Sequence, residues 1–228
     1  MGKKHVNARE KMDKQSYSLH DGISKLKELA YAKFDESVDV SVGLGIDATK
    51  SDQVVRGSVT LPHGNGRTVK IAVFAKGEYA QAARDAGADY VGFEDLMEKV
   101  ESGWLDFNYA IATPDVMGQV GKLAKILGPK GLLPNKKLGT VTFETGDAVK
   151  ELKSGRSFFK NDKGGSVHFS IGKRSFDVNK LAENFTAFIK SLIAQRPATA
   201  KGRFLRKVVV SSTMGVGIPV ALDDELKV

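Results

Sequence analysis

Two styles of hydrophobic patterning in one chain predict a two-domain protein, α+β at its two ends and α/β in its middle. Near the start, Val38, Val40, Val42, Leu44 and Ile46 alternate strictly with Asp39, Ser41, Gly43 and Gly45. Later, Val167, Phe169 and Ile171 alternate with Ser166, His168 and Ser170. Strands of this kind lie on a sheet with one wet face. Residues 69–75, by contrast, are apolar except for Lys70, the pattern of a strand buried on both faces of a parallel sheet. The expected architecture is a discontinuous α+β domain from residues 1–67 and 158–228. A Rossmann-like three-layer α/β domain, residues 68–157, is inserted into it, and the two crossings near 61–68 and 154–157 form a hinge.

Composition sets the class. The 228 residues carry 35 Lys+Arg against 27 Asp+Glu, a formal net charge of +8. Residues 158–228 alone hold 12 basic and 6 acidic groups, whereas residues 69–157 hold 12 of each. The excess sits in the outer segments, so a polyanion is the partner expected for that body. With no cysteine there is no disulfide, no thiolate zinc site and no cysteine nucleophile, as suits a reducing cytoplasm. No apolar run approaches the roughly 20 residues of a membrane span, and the polar, basic start is not a secretory signal.

In chain order, residues 1–15 read as a mobile charged arm. Ser18 with Asp21 three residues on is a weak capping box, and Ile23, Leu26, Leu29 and Ala30 give a helix to about Ala32. Phe34 precedes the first strand; from local pattern alone it belongs to the core. A short strand at 59–61 ends in Pro62-His63-Gly64-Asn65-Gly66, a turn. His63 is a turn histidine. The middle then alternates: strand 69–75, helix 78–86, strand 89–91, helix 94–100, strand 107–112. Such succession makes an α/β unit. Thr113-Pro114 reads as N-cap and first position of a helix running to Leu127. The loop 128–137 holds two glycines, two prolines and three lysines and is expected to be irregular. Lys122, Lys125, Lys130, Lys136 and Lys137 around it suit either a stretch of phosphate or a solvated surface. Trp104 reads as packing. A helix at 146–153 follows, and Asp177 caps a long helix with a buried stripe of Leu181, Phe185, Phe188, Ile189 and Leu192. His168 stands alone, a structural histidine rather than a ligand.

One stretch near the end carries chemistry. Val208-Val209-Val210 reads as a strand running into Ser211-Ser212-Thr213-Met214-Gly215. Alternation places Ser211 and Thr213 on one face. Hydroxyls suit sugar 2′-OH groups and phosphates, methionine adapts to irregular apolar surface, and glycine permits close approach. The set is poor for acid–base chemistry. It fits shaped RNA, or an ordinary strand-ending turn. An α/β enzyme with a cleft between two domains would need a nucleophile–base pair or clustered carboxylates, and neither is evident. A DNA-binding regulator would show a helix-turn-helix or zinc signature, also absent. No catalytic residue, metal ligand or cofactor is assigned.

Ser212-Thr213-Met214-Gly215 resembles the RNA-contact signature of the large-subunit ribosomal protein one family, the protein of the mobile ribosomal stalk. The resemblance extends in order through 32–36, 44–47, 55–57, 61–64, 88–92, 112–115, 126–129 and 181–184, nearly the whole chain. It implies a non-enzymatic protein of the cytoplasmic ribosome, monomeric when free, whose discontinuous domain grips the stalk helices of large-subunit rRNA. By match the contacts are Lys33, Phe34, Lys173, Ser175, Ser211, Thr213, Met214 and Gly215, which moves Phe34 from core to surface. The resemblance further implies a part in exit-site tRNA release and repression of the protein's own operon mRNA. The five lysines around 128–137 are assigned to the tRNA-facing side. Three departures stand out: Phe169-Ser170 where the family has Ala-Pro, Lys173-Arg174 where a small or apolar residue follows the lysine, and Val216-Gly217-Ile218-Pro219 running into the acidic tail Asp223-Asp224-Glu225. Arg174 is expected to add a phosphate contact. Thr213→Val is expected to keep the fold and weaken RNA binding.

Overall fold

The computed structural model describes residues 2–12 and 16–221; the acidic tail and the end of the basic arm lie outside them. In chain order the elements are α1 (Lys3–Glu10), α2 (Leu19–Leu29), β1 (Ser37–Leu44), β2 (Arg56–Thr60), β3 (Ile71–Phe74), α3 (Gly77–Asp85), β4 (Tyr90–Gly92), α4 (Glu94–Glu101) and β5 (Tyr109–Ala112). There follow α5 (Met117–Val120), α6 (Ala124–Leu127), α7 (Thr145–Lys153), β6 (Arg156–Lys160), β7 (Ser166–Lys173), α8 (Val178–Ala194), β8 (Leu205–Ser212) and β9 (Ile218–Val220). They form two compact units, Met1–Gly66 with Ser157–Val228, and Arg67–Arg156. No helix among the described residues is long and apolar enough to cross a membrane.

The first unit is built on a sheet of order β7-β1-β8-β9, with β1 antiparallel to both neighbours. Val38, Val40, Val42 and Leu44 face the core and are at most 4 % exposed. Ser18 caps α2, accepting the Asp21 N–H at 3.2 Å. Ile23, Leu26 and Leu29 of α2 and the stripe Leu181, Phe185, Phe188, Ile189 and Leu192 of α8 fill the space beneath. Asp177 occupies the N-cap of α8 without a side-chain hydrogen bond. Phe169 belongs to this core: its ring stacks on Phe188 at 4.5 Å and meets Phe159 edge-on. A separate two-stranded sheet pairs β2 with β6.

The second unit carries the parallel sheet β4-β3-β5. Every residue of β3 is fully buried. Ala72 and Phe74 pack with Leu96 and Val100 of α4, Val120 of α5 and Leu127 of α6. Alternation turns Ile71 and Val73 to the other face, where α3 and α7 pack on β3 and β5. Two helical layers therefore sandwich the sheet. Trp104 packs between Tyr90 and Phe107.

Several sequence readings give way. The expected mobile arm contains α1, anchored by buried Ala8 and by Met12 one turn on. Thr113 does not cap a helix. Its N–H donates to Phe74 O at 3.1 Å, continuing the β3–β5 ladder, and Val116 N–H bonds back to Thr113 O. A tight turn therefore fills 113–116, and the helix begins at Met117. It is then interrupted by a 3₁₀ turn at Gly121–Leu123, where glycine weakens the α conformation. The loop 128–137 ends in a 3₁₀ turn, Lys136–Leu138, capped by the Asn135 side chain.

Replacing Phe169 with Ala removes a buried ring from the face of Phe188. The expected cost is about 3–5 kcal/mol, read as a lower urea midpoint at unchanged slope. A loss below about 1 kcal/mol would mean that the neighbouring rings close the gap.

Candidate nucleic-acid interface

Antiparallel pairing on both sides of β1 puts three chain ends at one end of the sheet. β1 starts at Ser37, opposite Lys173 at the end of β7, and Val38 lies opposite Ser212 at the end of β8. The segments 31–36, 174–176 and 213–215 thus form one rim, although they are far apart in sequence.

Buried Glu36 joins the three. Its Oε1 accepts the Met214 N–H at 2.9 Å, and its backbone oxygen accepts the Arg174 N–H at 2.8 Å. The carboxylate is fully buried, and Oε2 has no hydrogen-bond partner among the described residues. Around it, Ser37 O accepts the Thr213 N–H at 3.1 Å, and the Thr213 hydroxyl accepts the Ser37 N–H at 3.0 Å. Asp35 receives both the Ser175 N–H, at 3.0 Å, and the Ser175 hydroxyl, at 2.8 Å. Tyr31 OH donates to Met214 O at 2.5 Å, and Lys173 Nζ to Ser37 Oγ at 3.1 Å. The Arg174 guanidinium reaches Ala32 O at 3.5 Å.

The side chains left outward are of another kind. Phe34 is 55 % exposed and Met214 52 %, so Phe34 is a surface residue and not part of the core. Lys33, Ser175 and Thr213 are exposed, while Lys173, Arg174, Ser211 and Gly215 are half-buried. Gly215 closes the turn over Ser212: a Cβ there would lie 2.3 Å from Ser212 Oγ. Ser211 sits on the open sheet face opposite Asp39. Thr213, expected beside it, follows the strand in the turn, and its hydroxyl serves the Ser37 backbone. Thr213→Val therefore strips a local hydrogen bond as well as any outward one.

Sequence reasoning missed Glu36, Asp35 and Tyr31 as the holding groups. For Glu36 the signal was present: it shares the parity of Val38, Val40 and Val42, so the alternation that buries them buries it.

On the same sheet, His168 does have partners. Its Nδ1 lies 2.9 Å from Ser41 Oγ and its Nε2 3.4 Å from Asp162. The Ser166 backbone N–H, and then His168, hold the Asp162 carboxyl below the usual carboxylate range. This is no hydrolytic triad. His168 is 62 % exposed, and β1 is paired on both sides at Ser41, so its backbone offers no oxyanion site. In the turn before β3, His63 pairs with Glu183 at 2.6 Å.

In the second unit Lys122, Lys125, Lys130, Lys136 and Lys137 are all exposed, and none forms an ion pair among the described residues.

Glu36→Ala is expected to release the Met214 N–H, so that its amide exchange accelerates by the equivalent of about 1–3 kcal/mol. Glu36→Gln keeps an acceptor and most of the protection. Equal loss in both variants would show that charge, not the acceptor, holds the turn.

Comparison with known proteins places these residues in context. The chain matches the Ribosomal protein L1p/L10e family over residues 26–216, a span that includes every rim residue from Tyr31 to Gly215. It is 56 % identical over 219 residues to the large ribosomal subunit protein uL1 of Azoarcus sp. (strain BH72), covering 95 % of each chain. The uL1 of Chlorobaculum tepidum is 50 % identical over 223 residues, 97 % of this chain and 96 % of the relative. That of Desulfosudis oleivorans is 49 % identical over 230 residues, 99 % and 98 %. The chain belongs to the Ribosomal protein L1p/L10e family.

Proposed function

We propose that this family member is a structural, non-enzymatic protein of the large ribosomal subunit, acting in the cytoplasm, and that it grips rRNA stalk helices with the rim of its sheet. Its relatives are named as large-subunit proteins. The observation that carries the reading is the pair Phe34 and Met214, two large apolar side chains held outward amid Lys33, Lys173, Arg174, Ser175 and Thr213. An exposed ring and thioether, on two segments that meet at one rim, offer apolar surface to a partner among the cationic and hydroxyl groups around them.

RNA is that partner. Side chains reach the base edges of an A-form helix poorly, so proteins read its shape, sugars and phosphates. Phe34 offers a face for a base or ribose, and Met214 packs against a sugar. Lys33, Lys173 and Arg174 take phosphates, while Ser175, Ser211 and Thr213 take 2′-OH groups. Holding the rim by Glu36 and Asp35 fixes its shape before binding, which lowers the ordering cost. On this reading residues 1–67 and 158–228 are the rRNA-binding domain, and residues 68–157 an inserted domain whose Lys122, Lys125, Lys130, Lys136 and Lys137 face exit-site tRNA. The same rim, meeting a similar fold in the protein's own operon mRNA, makes it a repressor. The free protein is a monomer.

The test is a titration of the full chain against a stalk-helix RNA over a salt series, with plain duplex of equal length as competitor. Phe34→Ala and Met214→Ala are each expected to lose roughly 1–3 kcal/mol of binding with denaturation curves unchanged, since both side chains are exposed. Lys33→Ala is expected to lower the salt slope by roughly 0.7–0.9. Wild-type affinity in both apolar variants would remove the rim from RNA binding. In a reporter assay, Phe34→Ala should also relieve repression; retained repression would assign the mRNA to another surface.

A further inference from the structure

The outer side of β4 carries a cavity that the RNA reading leaves unused. β4 is the edge strand of its sheet, with no strand beyond it among the described residues. Tyr90, Val91 and Gly92 are half-buried, whereas the neighbouring β3 is fully buried. Beside them lies a cavity of about 520 Å³, bounded by β4, by Asp95, Leu96 and Lys99 of α4, and by Trp104. After α4 the chain turns at Gly103, and the Trp104 N–H bonds back to Lys99 O at 3.0 Å. That return sets the indole edge-on to Tyr90, centroids 4.6 Å apart. The volume lies in the range of binding pockets, and aromatic walls with a few polar groups are their usual lining.

Charge says what fits. Residues 85–106 hold seven carboxylates and one lysine, in a chain of net charge +8. Asp89 is engaged by the Ile71 N–H and Lys153, and Asp106 by Lys70. Glu94, Asp95, Glu98 and Glu101 of α4 are exposed and meet no cation among the described residues. The helix dipole accounts for Glu94 and Asp95 in the first turn, but it disfavours Glu98 and Glu101 near the last. Helix stability therefore does not explain the set. A nucleic acid would be repelled.

We propose that this edge docks an extended basic segment of a partner protein, rich in arginine or lysine. The segment adds as a strand along β4 and sets a cationic side chain in the cavity against Trp104, with the α4 carboxylates meeting its other charges.

Trp104 is the chain's single tryptophan, so its emission reports on the cavity directly. The full chain is titrated with an acetylated Arg-Val-Arg-Val-Arg-Val peptide and with its glutamate counterpart. A saturable change in Trp104 emission is expected with the arginine peptide alone, with slower amide exchange at residues 90–92. The double variant Asp95→Lys, Glu98→Lys should bind it about tenfold more weakly while keeping wild-type affinity for stalk RNA. No response, or undiminished binding by the charge-reversed variant, would overturn the proposal. Competition for the cavity by stalk RNA would give the edge to nucleic acid, and dimerisation abolished by the double variant would give it to a second copy; either would also overturn it.

Discussion

Strand β1 is paired on both sides, to β7 and to β8, and its register is set by the buried row Val38, Val40, Val42 and Leu44. A slip of one residue would turn that row to water and bring Asp39 and Ser41 into the core. It would also move Ser37 away from Lys173 and Glu36 away from Met214. The rim is thus specified by the hydrophobic core: the packing that fixes the sheet also fixes where three distant segments meet. Polar groups then complete what the register begins. Their partners are separated by up to 178 residues, so only the folded sheet can assemble them.

Two classes of side chain share the rim. Tyr31, Asp35 and Glu36 spend their polar atoms on backbone groups and on Ser175, and so make the turns stiff. Phe34, Met214 and Lys33 make none of those bonds and face outward. Burying the Glu36 carboxylate is costly unless it is hydrogen-bonded, and one of its oxygens has no partner among the described residues. On the function proposed, a rim held in this way meets RNA without rearranging.

Much of this was legible in the sequence, for a physical reason: strict alternation in β1, the i, i+4 stripe of α8 and the apolar run of β3 each express burial locally. The Ser18 cap was legible too. What failed depended on distant partners. Phe34 carries no local sign of exposure, and only the family resemblance placed it outside. β6 and β9 escaped notice because five and three residues are too few for a period, and Pro219 argues locally against a strand. Thr113-Pro114 has the composition of a helix start, but the β3 ladder takes the Thr113 N–H first. Thr213 reads in the sequence as an outward hydroxyl only, whereas in the fold it is exposed and also accepts the Ser37 N–H. Phe169 needed no distant partner to be read as core, because it keeps the inward parity of Val167 and Ile171, and in the fold it stacks on Phe188.

The second unit shows how a composition average can mislead. Its segment 69–157 has equal numbers of acidic and basic residues, which reads as electrostatic indifference. In the fold the charges are partly sorted: Glu94, Asp95, Glu98 and Glu101 lie on α4, and Lys122, Lys125, Lys130, Lys136 and Lys137 lie on and around α6, while α7 carries both signs. At physiological salt, exposed charges are screened over about 8 Å, so what approaches the unit meets the local charge before the average. The net charge of the unit therefore predicts nothing about its partners, and the local charge does. On the two readings proposed above, a small α/β body built this way would meet a polyanion at one surface and a polycation at another without any change in its backbone.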